Sequence, residues 1–241
     1  MSVQKRVLIT GASKGIGRAT MLRLTAEGYR VTGLARTRPA DAGPAEEFHA
    51  IDLTDLDATR ALIEKLAAEQ PFYALVNNAA TAPVTSLEET TPQTMRDTFE
   101  LNLNAVLVCT QAVLPGMRTL GAGRIVNLSS RAALGKANRS AYSASKAAIM
   151  GLSRTWALEL AAHGITVNVI APGPIATEMF QKSSPPNHPA TIALMSAVPV
   201  RRIGTPEEIA HAMAYLLDPR CGFMTGQTLH IDGGLTIGAA H

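Results

Sequence analysis

Short apolar runs alternate along this chain with longer segments whose apolar positions recur at helical spacing. Arg6 to Thr10, Arg30 to Ala35, Glu47 to Asp52, Tyr73 to Asn77, Gly123 to Ser129, Ile165 to Ala171 and Thr228 to Asp232 read as strands. Ile16 to Glu27, Leu56 to Glu69, a bent stretch from Thr91-Pro92 towards Arg118, and Ser143 to Ala162, with room to begin a turn earlier, read as helices. A Thr54-x-x-Asp57 pattern is expected to cap the second of these, and Thr91-Pro92 marks a helix start. Thr205-Pro206-Glu207-Glu208 is a full capping box, and its helix ends before Pro219. Thr37 to Glu46 is broken by Pro39, Gly43 and Pro44 and reads as a loop or a single turn. Pro172 to Gly204 reads as a loop with one short helix.

Strand–helix alternation at this spacing predicts an α/β doubly wound Rossmann fold. A single domain over residues 1–241 is expected, with a seven-stranded parallel sheet in the order 3-2-1-4-5-6-7 and helices on both faces. Charged residues make up 17% of the chain and hydrophobic residues 46%, which excludes a disordered chain. Aromatics at 4% argue against a stacking platform for nucleic acid, and no clustered basic or amphipathic face suggests a nucleic-acid or membrane partner. The formal charge of +3 suits an anionic cofactor or substrate without specifying one. No apolar run has the length of a signal peptide or a membrane span. Cys109 falls in an apolar helical pattern and reads as buried, whereas Cys221 sits in a loop that is expected to be exposed. Neither suggests a disulfide or a metal site, so a cytoplasmic home is expected.

Two places carry chemistry. Thr10-Gly11-Ala12-Ser13-Lys14-Gly15-Ile16-Gly17 joins the first strand to the first helix. Gly11 permits a tight turn, Gly15 lets backbone approach a pyrophosphate, and Gly17 lets helix and sheet pack closely. The helix N-terminus then faces the anion. Lys14 lies in this turn, and Arg36 follows the second strand where an acid would bind ribose hydroxyls. Two cations and no acid there predict a 2′-phosphate, hence NADP(H). The second place is Ser129-Ser130 followed by Tyr142 and Lys146. Tyr142 and Lys146 share a helix face, and a neighbouring ammonium is expected to lower the phenol pKa. With a serine donor alongside, they suit proton transfer in interconverting a carbonyl and an alcohol.

Taken together, these segments resemble the classical short-chain dehydrogenase/reductase family, from Thr10 to Gly234. The resemblance rests on the glycine turn, Asp52-Leu53, Asn77-Asn78-Ala79, Asn102, Tyr142-x-x-x-Lys146, Pro172-Gly173 with Thr177, and Asp232-Gly233-Gly234. It implies cofactor contacts from Gly11, Ser13, Lys14, Gly15, Ile16, Gly17, Arg36, Asp52, Leu53, Asn78, Ala79, Tyr142, Lys146, Pro172, Gly173, Ile175 and Thr177. It implies Ser130, Tyr142, Lys146 and Asn102 as the catalytic set. Asn102 would hold a water leading to Lys146, or else simply brace a bent helix. Asn78 reads as bridging neighbouring strands. Two departures stand out. Ala80 replaces a usual glycine, and Ser129, not Ser130, lies the usual thirteen residues before Tyr142. The strand register favours Ser130, with the shortened length in the loop at Gly135 to Asn138.

Residues 178–204 should cover the substrate. Met179, Phe180, Pro185, Pro186, His188, Ile192, Leu194 and Met195 make that lining apolar, suiting a small to medium carbonyl compound. Arg131 and Arg139 either meet an acidic group or sit in solvent. A 3-oxoacyl-carrier-protein reductase is the alternative of similar general look, although Leu120-Gly121-Ala122 and Ala162-His163-Gly164 lack the subgroup's docking cations. An NADP-binding redox sensor without turnover is the alternative of another class. The family implies a homotetramer, and a stripe of Leu152, Trp156 and Leu160 is either a candidate contact or packs only on the sheet.

Overall fold

The computed structural model describes residues 4–43, 46–183 and 187–237. Seven parallel strands form one sheet in the spatial order 3-2-1-4-5-6-7. They are β1 (Arg6–Thr10), β2 (Arg30–Ala35), β3 (Glu47–Ala50), β4 (Ala74–Asn77), β5 (Gly123–Leu128), β6 (Ile165–Pro172) and β7 (Thr228–Ile231). The helices are α1 (Gly15–Ala26), α2 (Leu56–Glu69), α3 (Pro92–Phe99), α4 (Ala105–Leu120), α5 (Ser140–Leu160), α6 (Glu178–Ser183), α7 (Pro189–Ala197) and α8 (Pro206–Leu217).

Strand alternation sorts the core into two layers. Val7, Ile9, Ala74, Val76, Val126 and Leu128 pack with α1 and α8 through Met21, Leu24, Ile209 and Met213. Leu8, Leu75 and Ile125 face the other way, against Ile63 and Leu66 of α2, Cys109 and Val113 of α4, and Leu160 of α5. Burial on both faces explains why these strands read as continuous apolar runs.

Several boundaries differ from the sequence reading, each for a local reason. β3 stops at Ala50, because the Asp52 carboxylate turns back to accept from the Thr54 N–H (3.0 Å) and hydroxyl (2.8 Å). With Asp52 holding Thr54, the cap of α2 is Asp55, which accepts from the Ala58 N–H at 3.0 Å. α5 takes the earlier of the two starts the pattern allowed, at Ser140, with no side-chain cap. The 172–204 segment holds two short helices rather than one. The bend after Thr91 is a π-helical turn, Glu100–Asn104, between α3 and α4. Cys221 is buried rather than exposed, packed with the α8 face of the core. Pro185, Pro186 and the last residues of the chain lie outside the described residues, as does the Met179 side chain.

Every strand of the central sheet delivers its carboxyl end to one edge. The glycine turn follows β1, Arg36 follows β2, Asn78 follows β4, Ser130 follows β5 and Gly173 follows β6. The strand order reverses between β1 and β4, and that switch point is where such sheets form a crevice.

Candidate active site

The floor of the crevice is the turn after β1. Gly11 has φ +67°, and a β-carbon there would sit 2.7 Å from Asn78 Nδ2. A β-carbon on Gly17 would come within 2.3 Å of the Gly11 carbonyl oxygen. Both positions therefore require glycine. Asn78 fills the space they leave. Its side-chain amide donates to the Thr10 and Gly11 carbonyls at 2.9 and 3.1 Å, and its backbone N–H donates to Thr10 Oγ1 at 3.0 Å. The Ala79 N–H donates to the same hydroxyl. Asn78 thus ties β4 to β1 under the turn.

Ser13, Gly15 and Ile16 are partly exposed at the mouth of the turn, and Lys14 is exposed. Lys14 makes only a loose pair with Glu178, at 3.8 Å. Arg36 is exposed at the end of β2, and its charge helps lower the pKa of Asp52, behind the two Thr54 hydrogen bonds. Leu53 is buried beside Thr10 and Ala79. On the opposite wall, Gly173 lies so close to Asp232 that a β-carbon would reach its Cα at 2.6 Å. Ile175 is buried and bridges to Gly204. Thr177 accepts from the Phe180 N–H at 3.2 Å and faces Gly15.

The second cluster lies at the end of β5. Ser129 is buried, and its hydroxyl donates to the Lys146 backbone carbonyl at 2.7 Å. Ser130, one residue on, is partly exposed and accepts from the Ala132 N–H at 3.1 Å. It is also the serine that acts on the Tyr142 phenol, lowering its pKa. Lys146 is buried one turn below, with its ammonium 5.9 Å from the Tyr142 ring centre. The Lys146 ammonium donates to the Leu128 carbonyl at 2.6 Å. Asn102 is fully buried on the π-helical turn. It clasps Thr81 in both directions, at 2.9 and 3.0 Å, and donates to Ser145 Oγ at 2.9 Å. Its side chain therefore braces the 79–82 segment against α5.

This geometry meets an extensive set of relatives. A family model described as Enoyl-(Acyl carrier protein) reductase matches residues 11–236. The L-xylulose reductase of Mesocricetus auratus is 37% identical over 241 residues, covering 97% of each chain. The 3-oxoacyl-[acyl-carrier-protein] reductase FabG of Vibrio harveyi is 35% identical over 239 residues, covering 96% of this chain and 97% of that one. The chain belongs to the classical short-chain dehydrogenase/reductase family. A solved structure of ElxO with NADP bound superposes with a TM-score of 0.90 at 29% identity, covering 98% of this chain and 100% of that one. As a short-chain dehydrogenase/reductase, the chain is an NAD(P)-dependent oxidoreductase of carbonyl and CH–OH groups.

The electrostatics depart from one expectation. The Tyr142 pKa is raised, not lowered. Burial is the largest cause, and it outweighs the lowering by Ser130 and the Arg139 charge. The Lys146 ammonium donates to the Leu128 carbonyl and is itself desolvated. Burial pulls its pKa down to about 8. Two residues of the Leu152–Trp156–Leu160 stripe pack on the sheet side. Leu160 is buried and Trp156 packs against the core, while Leu158 is 85% exposed. Arg139, one of the two arginines singled out in the sequence between Ser130 and Tyr142, immediately precedes α5, and its charge reaches the phenol.

Proposed function

We propose that this enzyme transfers hydride between NADP(H) and a small to medium carbonyl or secondary alcohol, with Ser130, Tyr142 and Lys146 as its reacting set. The observation that carries this reading is the Ser130–Tyr142–Lys146 cluster beside a glycine turn open to an anion. The turn fits a dinucleotide: its two crowded glycines keep side chains out, and Lys14 and Arg36 stand exposed where a 2′-phosphate would lie. NADPH would supply the hydride.

The chain's own groups handle the oxygen. Ser130 orients the substrate carbonyl by donating to it. Tyr142, held protonated by burial, donates its proton as negative charge develops there. Lys146 lies behind the phenol, with a lowered pKa that suits it to return that proton. Asn102 positions the 79–82 segment and α5 rather than touching the reacting atoms. The 178–204 segment covers the substrate, and the whole chain acts as one NADP-binding domain.

A carrier-bound 3-oxoacyl thioester is a second substrate reading, favoured by similarity to the Vibrio harveyi reductase. The absence of Lys and Arg from Leu120-Gly121-Ala122 and Ala162-His163-Gly164 weighs against it. We also propose a homotetramer working in the cytoplasm. Its contact would use the outward face of α5, where Ala147, Gly151, Thr155 and Leu158 are exposed, with Leu107 and Gln111 of α4. Light scattering that gave a monomer at micromolar concentration would refute the assembly.

The cofactor reading is tested by kcat/KM for NADPH and NADH in wild type and Arg36→Ala. NADPH should be preferred, and Arg36→Ala should lose most of that preference. Equal efficiencies in wild type would contradict the reading.

A further inference from the structure

Three cations lie in the short stretch between Ser130 and Tyr142. Arg131 directly follows Ser130, Lys136 lies on the next turn of chain, and Arg139 precedes Tyr142 by three residues. Arg139 is partly buried and is anchored from behind. One guanidinium nitrogen donates to the Ala82 carbonyl, and to the Pro83 carbonyl at 3.4 Å. The Thr85 N–H donates to the Asn138 carbonyl at 3.1 Å, and Thr85 bridges to Arg139, which pins the loop to the 82–85 segment. These contacts leave most of the five guanidinium donors of Arg139 unused.

Among the described residues, no carboxylate forms an ion pair with any of the three. The nearby Glu89 accepts from the Ser86 N–H at 3.2 Å within its own loop. Lys136 is exposed, yet loss of hydration among its neighbours, and then the charges of Arg139 and Arg131, lower its pKa. The Arg139 charge also reaches the Tyr142 phenol. Like charges held together without a counter-ion oppose each other, and an arriving anion relieves that opposition.

We propose that Arg139, with Arg131 and Lys136, selects carbonyl substrates that carry an anionic group of their own. This rests on the oxidoreductase reading above and narrows its substrate class. Arg139 immediately precedes α5, three residues before Tyr142, so the two side chains stem from neighbouring points at the start of that helix. An anionic group a few bonds from the carbonyl carbon spans the interval between them. The carbonyl gains a hydride from the reduced cofactor and a proton from Tyr142, and the anionic group passes through unchanged. The product is a hydroxy compound bearing the same charge. Arg139 is a specificity residue here, since it holds the substrate's far group.

The test is a matched set of ketones of one length: an oxo acid, its methyl ester, its amide and a phosphate-bearing ketone. kcat/KM is measured for wild type, Arg139→Gln and Lys136→Gln at low and high salt, with NADPH affinity by titration. In wild type the anionic ketones should exceed the ester and amide by about tenfold or more, mainly through KM, and the margin should shrink with salt. Preference between the carboxylate and the phosphate then names the anion. Arg139→Gln should cut kcat/KM for the acid at least tenfold more than for the ester. Lys136→Gln, in a surface loop, carries the same prediction with a smaller factor if the Arg139 variant does not fold. Wild type that reduces ester and acid with equal efficiency overturns this inference and leaves the oxidoreductase reading standing. Wild type that binds NADPH and reduces none of the set overturns both.

Discussion

Ser129 donates its hydroxyl to the Lys146 backbone carbonyl at 2.7 Å, which commits that serine to holding β5 against α5. Ser130, on the other side of the strand end, is left beside the phenol. Ser130→Ala should therefore lower kcat by about 10²–10³-fold, as expected when one donor to a developing oxyanion is lost. Ser129→Ala should instead cost about 1 kcal/mol of stability with a small change in kcat. Steady-state kinetics and thermal melts of the two variants separate these outcomes, and a reversed pattern would return the role to Ser129.

The buried Lys146 makes stability depend on pH in a defined direction. Its folded pKa of about 8 lies below the ordinary lysine value of about 10.4. Between those values the unfolded chain binds more protons than the folded one, so stability rises with pH across the window. The raised pKa of Tyr142 acts oppositely above its ordinary value of about 10, where the folded chain keeps a proton that the unfolded chain releases. Melting temperature compared between wild type and Lys146→Met should show wild type gaining on the variant from pH 8 towards 10. A difference independent of pH would mean that Lys146 is not desolvated.

Arg6 stabilises the far end of the sheet. It is fully buried, pairs with Glu47, donates to Thr32 Oγ1 at 3.2 Å and to the Leu66 and Gln70 carbonyls at 2.6 and 3.1 Å, and stacks 4.4 Å from the Phe72 ring centre. Arg6→Met leaves those acceptors unpaired and should cost about 3–5 kcal/mol, as breaking a buried pair does. Urea unfolding would measure the loss. Because the site is at the opposite strand ends, kcat of the folded fraction should hold.

Asn102 joins the 79–82 segment to α5. Asn102→Ala strips partners from Thr81 and Ser145 and should cost about 1–3 kcal/mol. It should also raise KM for cofactor by loosening the 79–82 segment. Cofactor titration and a thermal melt on the variant check both. Unchanged stability would show that the clasp contributes nothing.

Much of this arrangement was legible along the chain. The continuous apolar runs and capping signals located the strands and most helices, because burial on both sheet faces leaves a strong pattern. Gly11 and Gly17 were legible because backbone crowding leaves no alternative residue. What the pattern missed depended on contacts distant in sequence. The start of α5 at Ser140 lies within the turn the pattern allowed but did not fix, because no side chain caps it. The direction of the Lys146 ammonium is set by a carbonyl eighteen residues away on another element. The inward face of Trp156 and Leu160 depends on which side of α5 meets the sheet, and spacing alone does not distinguish the two sides.

The central claim is that Tyr142 passes the proton to a carbonyl oxygen while hydride arrives from NADPH. Its most direct measurement is carbonyl-dependent loss of reduced-nicotinamide absorbance in wild type and Tyr142→Phe, with NADPH affinity titrated on both. Wild type should turn over members of a carbonyl panel, and the variant should lose nearly all turnover while binding NADPH with similar affinity. Substantial turnover by Tyr142→Phe, or tight NADPH binding by wild type with no turnover on a broad panel, would contradict the account.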